Sequence, residues 1–180
     1  MRKLGLFNIL ILLLTVFLSH NAYSQSARDR YVGYYYPAPQ QVELYCSRVA
    51  PLPDVTRVRR TGFIIGIKNG MSKQPYEPPY AVFAKGAVST KLIIISKQDG
   101  YLNTIYRARA LLADLSTSAR TTPIFAKSGV ADKLTFLDLV SMLGFQSVTM
   151  SDGDSFAHQI VLLPASNARC QPVQKKLDTK

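Results

Sequence analysis

The chain has 180 residues and a formal charge of +11, with 22 Lys and Arg against 11 Asp and Glu, 47% hydrophobic residues, two Cys and no Trp. Ordinary hydrophobic content without any repeat excludes a collagenous, coiled-coil or largely disordered chain. The length fits one basic domain.

Met1-Arg2-Lys3 is a cationic start, and Leu4 to Leu18 is apolar except for Gly5, Asn8 and Thr15. Ala22 and Ser24 then supply small residues for a peptidase site, so the layout predicts a secretory signal peptide over 1–24, cut before Gln25. About 15 apolar residues fall short of the ~20 that span a bilayer as a helix. No later segment is long and apolar enough, so no membrane span is expected in the mature chain. The address is exported: periplasm or extracellular space. In that oxidising setting Cys46 and Cys170 are expected to form one disulfide.

Residues 25–58 read as an extended lead-in, with Tyr34, Tyr35 and Tyr36 ahead of Pro37 and Pro39. Within it Gln40 to Val49 fits a short helix or a strand. Arg59 to Lys68 alternates, with Phe63, Ile65 and Ile67 on one face, and is read as the first strand of an α+β domain over 59–163. Asn69-Gly70 signals a turn. Tyr80 to Gly86 and Lys91 to Lys97 predict two more strands; Leu92 to Ile95, apolar on both faces, suggests a central one. Asn103 is the expected cap of a helix carrying Ile105, Ala108, Leu112 and Leu115 at helical spacing, with Arg107 and Arg109 on other faces. Thr135 and Asp138 resemble a capping box for a second helix, closed by Gly144. Phe145 to Met150 and Ser155 to Leu163 predict two strands joined by a tight Asp152-Gly153 hairpin, which would set Ser147 opposite His158. The sum is an α+β fold: a mainly antiparallel sheet of about five strands with two helices on one face, one disulfide, and a basic tail over 164–180.

The chemistry starts from a scarcity. With His20 in the signal peptide, His158 is the one histidine left, which excludes two-His metal sites and the H-E-x-x-H motif. No cofactor is implied. A hydrolase could be organised only around His158, with Ser147, Asp152 and Asp154 as the nearest candidates. Ser151 to Ser155 lacks the spacing and distal Glu of a calcium loop, and Asp114 with Asp138 lacks a reason to lie at glycosidase distance.

Basic residues are the larger signal: Arg57, Arg59 and Arg60 around the start of the first predicted strand, Arg107 and Arg109 on the first predicted helix. Nucleic acid is not an expected partner outside the cell. The partners to expect are an anionic envelope component (lipid head group, lipopolysaccharide or acidic glycan) or a partner protein. Tyr34 to Tyr36 and the Gln74 to Tyr80 segment add flat amphipathic rings on stiff backbone, suited to a glycan or peptide groove. The expected function is a non-catalytic binding or accessory protein of the envelope. Beside it stand a hydrolase around His158 and a structural subunit that docks through its Tyr-rich arm.

Several segments carry a resemblance. Tyr34 to Pro37, Tyr80 to Gly86, Tyr106 to Ala113, Thr135 to Leu139 with Leu143-Gly144-Phe145, and Ser151-Asp152-Gly153 with Phe156 to Ile160 resemble a group of small exported proteobacterial proteins of unknown function. The resemblance spans roughly Arg30 to Leu163. Some members are labelled molybdopterin-guanine dinucleotide biosynthesis protein A, which implies a nucleotidyltransferase with a G-G-x-S-x-R-M-G loop. This chain has no such loop, so no nucleotide-binding residue carries over.

Overall fold

The computed structural model describes residues 31–126, 129 and 131–170. The expected signal peptide over 1–24 and the tail from residue 171, with Lys175, Lys176 and Lys180, lie outside the described residues. The chain divides into two units between Tyr34 and Tyr35. In the first, Tyr31 to Tyr34 makes one turn, closed by the Tyr34 N–H on the Tyr31 carbonyl at 3.0 Å.

The second unit holds the sheet. Its elements are β1 (Gln41–Cys46), α1 (Arg57–Met71), β2 (Tyr80–Lys85), β3 (Lys91–Ser96), α2 (Ile105–Arg120), α3 (Phe136–Met142), β4 (Ser147–Ser151) and β5 (Ala157–Leu163). The sheet runs β1-β5-β4-β3-β2. Pairs β2–β3 and β4–β5 are antiparallel, while β1–β5 and β3–β4 are parallel. The α+β class holds, but the sheet is mixed. Helices α2 and α3 separate β3 from β4 and give the crossover that a parallel pair requires.

Alternation decides which face is buried. Val82, Leu92, Ile94, Val148, Met150, Ile160 and Leu162 join one core with Phe63, Ile67, Leu111, Leu115 and Leu139 from the three helices. Tyr35 stacks on Phe83 of β2, on the other face, with ring centroids 6.5 Å apart, and the Gln40 N–H donates to the Ala157 carbonyl at the head of β5. Between those anchors lie β3 and β4, roughly 14 Å of sheet that six extended residues can span. Ile93 and Thr149, paired on that face of the sheet, and Tyr36 are all buried. β1 and the strap from Tyr35 to Gln40 thus occupy the stretch read as a lead-in.

Three local expectations are corrected. Arg59 to Lys68 is helix, not strand. Thr56 caps it, its hydroxyl accepting the Arg59 N–H, and the buried residues Arg60, Phe63, Ile64, Ile67 and Met71 recur at helical spacing while Ile65 turns outward. Asn69-Gly70 therefore lies inside α1. Gly66 has a packing role there, because a Cβ would lie 3.3 Å from Thr122 Cγ2.

The cap of α2 is Thr104, one residue after Asn103. The last hairpin is wider than two residues. Asp152 Oδ1 accepts the N–H groups of Asp154, Ser155 and Phe156 at 3.0, 2.9 and 2.8 Å, which organises residues 152–156 into a loop and shifts the register. Ser147 consequently pairs with Val161, and His158 with Met150.

The capping box of α3 is present in full. Gly144 follows with φ +70°, where a Cβ would meet Val55 Cγ1 at 2.6 Å. Cys46 and Cys170 are bonded, with Cα atoms 5.5 Å apart across a separation of 124 residues, tying edge strand β1 to the segment after β5.

Candidate functional site

The register shift separates the expected catalytic pair. Ser147 and Met150 differ by three positions in one strand, so Ser147 and the Met150 partner His158 project from opposite faces of the sheet. His158 is fully buried, with Nε2 3.5 Å from Glu43 Oε2. Burial pushes its pKa down and outweighs the nearby carboxylate, so the ring is neutral. Asp152 spends its carboxylate on its own loop; burial would raise its pKa, but those hydrogen bonds prevail and lower it. Asp154 is exposed. These four residues form no relay. Among the described residues no three His, Cys, Asp or Glu side chains group to hold a metal, and no helix is long and apolar enough to cross a membrane.

The expected basic and aromatic binders also have structural employment. Arg60 is buried and donates to the Val88 carbonyl at 2.7 Å and the Leu143 carbonyl at 3.2 Å, fixing the β2–β3 turn to the end of α3. Burial lowers its pKa. Arg59 pairs with Asp54, Arg107 donates to the Gly100 carbonyl, and Arg109 meets Glu43 at 2.6 Å. Arg57 is exposed on the first turn of α1. Tyr34 is 78% exposed, whereas Tyr36 is buried and the Tyr35 hydroxyl accepts from Lys85 Nζ at 3.0 Å. The structure does not gather these residues into one surface. Arg109 borders one cleft among the described residues and Arg107 another.

The first cleft, about 420 Å³, lies between α2, α3 and β1. Arg109, Leu112, Ala113, Ser116 and Arg120 form one stripe of α2, faced by Tyr45 and by Thr135, Phe136 and Leu137. Its floor is apolar and its ends are guanidinium groups. Beneath it lies a dense polar node. Asp138, fully buried, accepts from the Tyr45 hydroxyl at 2.9 Å, from the Arg48 N–H at 3.0 Å and Arg48 Nε at 2.9 Å, and from Thr135. Burial alone would raise the Asp138 pKa, but the Arg48 and Thr135 hydrogen bonds hold it down at about 2. The polar groups of the cleft wall are equally engaged: Ser116 Oγ accepts the Phe136 N–H at 3.0 Å, and Arg120 donates to the Ala131 and Leu134 carbonyls at 3.1 and 2.7 Å. Those acceptors are neutral, so the Arg120 charge is held in place without being cancelled.

The second region lies on the other side of α2. Two clefts, of about 350 and 460 Å³, share Tyr101 and Asp114. The smaller reaches Arg107; the larger runs past Gln74, Pro78, Pro79, Tyr80, Thr117 and Ser118. Tyr80 and Tyr101 stack at 6.1 Å between centroids and 10° between planes. Burial, with Tyr101 and Asp114 nearby, pushes the Tyr80 phenol up to about 12, and burial with Asp114 raises Tyr101. Both phenols are protonated at neutral pH. None of the side chains of Gln74, Tyr80, Tyr101, Asp114, Thr117 and Ser118 makes a hydrogen bond or ion pair with a described residue.

Sequence reasoning missed Arg120, Tyr101 and Asp114 as site residues. The spacing from Arg109 to Arg120 places both on one helical stripe, a legible signal; the meeting of Tyr80, Tyr101 and Asp114 is tertiary. The chain matches no protein-family model, no curated protein and no solved structure.

Proposed function

We propose that this chain is an exported, non-catalytic binding protein whose ligand is an anionic amphiphile of the cell envelope, held by its head group at Arg109 and Arg120 and by its apolar body along Leu112, Ala113 and Phe136. The observation that carries this reading is the composition of that cleft: an apolar floor between two guanidinium groups, Arg109 paired with Glu43 outside the lining and Arg120 bonded, among the described residues, to neutral carbonyls. A cleft of this size suits a single lipid-like chain. The disulfide is compatible with an oxidising compartment. The dispersal of Ser147, His158 and Asp152 supports binding over hydrolysis.

Co-sedimentation with vesicles tests it. Phosphatidylcholine vesicles containing phosphatidylglycerol should retain the protein at low salt and release it at high salt, because charge contacts at an exposed rim are screened. Ala113→Phe, which fills the cleft from an exposed position, and Arg109→Gln should each reduce binding. Salt-insensitive binding, or full binding by Ala113→Phe, would remove the proposal.

A further inference from the structure

The side of α2 away from that cleft carries a second recognition site, and it does not depend on the reading above. We propose that the groove bordered by Tyr101 and Asp114 binds an uncharged saccharide, with the Tyr101 ring as a stacking platform and Gln74, Asp114 and Thr117 as partners for sugar hydroxyls. Three observations lead there.

The first is commitment. Buried or half-buried polar groups of a folded protein ordinarily find partners within it. Here the buried Tyr80 and the half-buried Tyr101 and Ser118, beside the exposed Gln74, Asp114 and Thr117, make no side-chain hydrogen bond or ion pair with a described residue, although all six share one concave surface. Water occupies such groups readily, and ligand hydroxyls can replace it without breaking any internal bond.

The second is the kind of group. A sugar hydroxyl both donates and accepts. The groove supplies a carboxylate that accepts, an amide and two hydroxyls that do both, and phenols that stay protonated. Asp114 stands opposite the charge an acidic sugar would carry, and Arg107 is turned to the Gly100 carbonyl. An uncharged ligand is favoured over an anion.

The third is ring geometry. Tyr80 and Tyr101 lie near-parallel and offset, and Tyr101 also lines the smaller cleft, which Tyr80 does not line. A single flat platform suits the C–H face of a pyranose. A quaternary ammonium would need rings that surround it, and two rings only 10° from parallel form no cage.

The experiment is titration of the isotopically labelled mature protein with neutral disaccharides (chitobiose, cellobiose, maltose) and with a digalacturonate control, followed by amide shifts. At least one neutral disaccharide should shift Tyr101, Asp114 and Thr117 saturably. Affinity should fall about tenfold in Tyr101→Leu, the size expected for one stacking contact, and also fall in Asp114→Ala, whose exposed position leaves the fold intact. Ala113→Phe should leave saccharide binding unchanged, so failure here and failure of the lipid reading are separable. The proposal is overturned if no neutral disaccharide moves these amides at millimolar concentration, if Asp114→Ala binds as well as the parent, or if the digalacturonate binds more tightly than every neutral sugar.

Discussion

Helix α2 separates two concave regions that resemble each other in size and differ in what their polar side chains do. On the β1 and α3 side, Tyr45, Ser116, Arg120 and Thr135 are all bonded to the protein. Around the larger cleft on the other side, the side chains of Gln74, Tyr80, Tyr101, Asp114, Thr117 and Ser118 are bonded to nothing described. The polar groups of the first region therefore tie elements of the fold together, around an apolar floor flanked by Arg109 and Arg120. In the second, Tyr80 packs into the core, but the polar side chains add no internal bond among the described residues and stay available to solvent or a ligand. Exposure alone would not have drawn this line; hydrogen-bond accounting does.

Five measurements sharpen or break the contrast, from large effects to small. Reduction of Cys46–Cys170, or Cys170→Ser, should cost about 4 kcal/mol in urea unfolding, since the bridge closes most of the described chain. Next, Asp138→Ala should cost about 3 kcal/mol, because it strands Tyr45, Arg48 and Thr135 donors around a buried hole. The same carboxylate sets an acid limit. Its pKa lies at about 2 in the fold against 3.8 unfolded, so its stabilisation is complete above the unfolded value and lost as pH falls through that window, about 2 kcal/mol in all. Asp138→Asn should abolish that part of the acid dependence.

His158 acts at higher pH and with a smaller effect. Its pKa is lowered by burial from 6.5, so the unfolded chain takes up the proton more readily and stability declines as pH falls below 6.5. His158→Gln should flatten the curve there in a denaturation series. Smallest of all, Asp114→Ala and Thr117→Ala should stay within about 0.5 kcal/mol of the parent, as uncommitted surface positions do. A loss of several times that at Asp114 would show it to be structural and would erase the difference between the two regions.

Legibility followed the range of the forces involved. The capping box of Thr135 and Asp138 was readable because its two hydrogen bonds span three residues. The strands Tyr80–Lys85 and Lys91–Ser96 were readable from their apolar content. Helix α1 was not, since Phe63, Ile64, Ile65 and Ile67 satisfy a period of two as well as one of 3.6, and three glycines weaken the helical signal. Only the core contacts of Phe63, Ile64 and Ile67 choose between them. The final hairpin was misread for a related reason: Asp152-Gly153 signals a tight turn, but the Asp152 carboxylate can organise a longer loop, and that choice carried Ser147 to the far face.

By itself, then, the amino-acid sequence determined the α+β class, the pairing of its two cysteines, most of the helix and strand positions, and the scarcity of catalytic side chains. These are matters of composition, parity and local spacing. Tertiary structure alone decided that β1 and β5 run parallel, that the Tyr35 strap crosses the open face, that Arg60 is an internal anchor, and that Tyr101 meets Asp114 beside Tyr80. Each of those joins residues far apart in the chain, and which distant groups meet is settled by the packing of the whole core, where burial of apolar area outweighs any local preference.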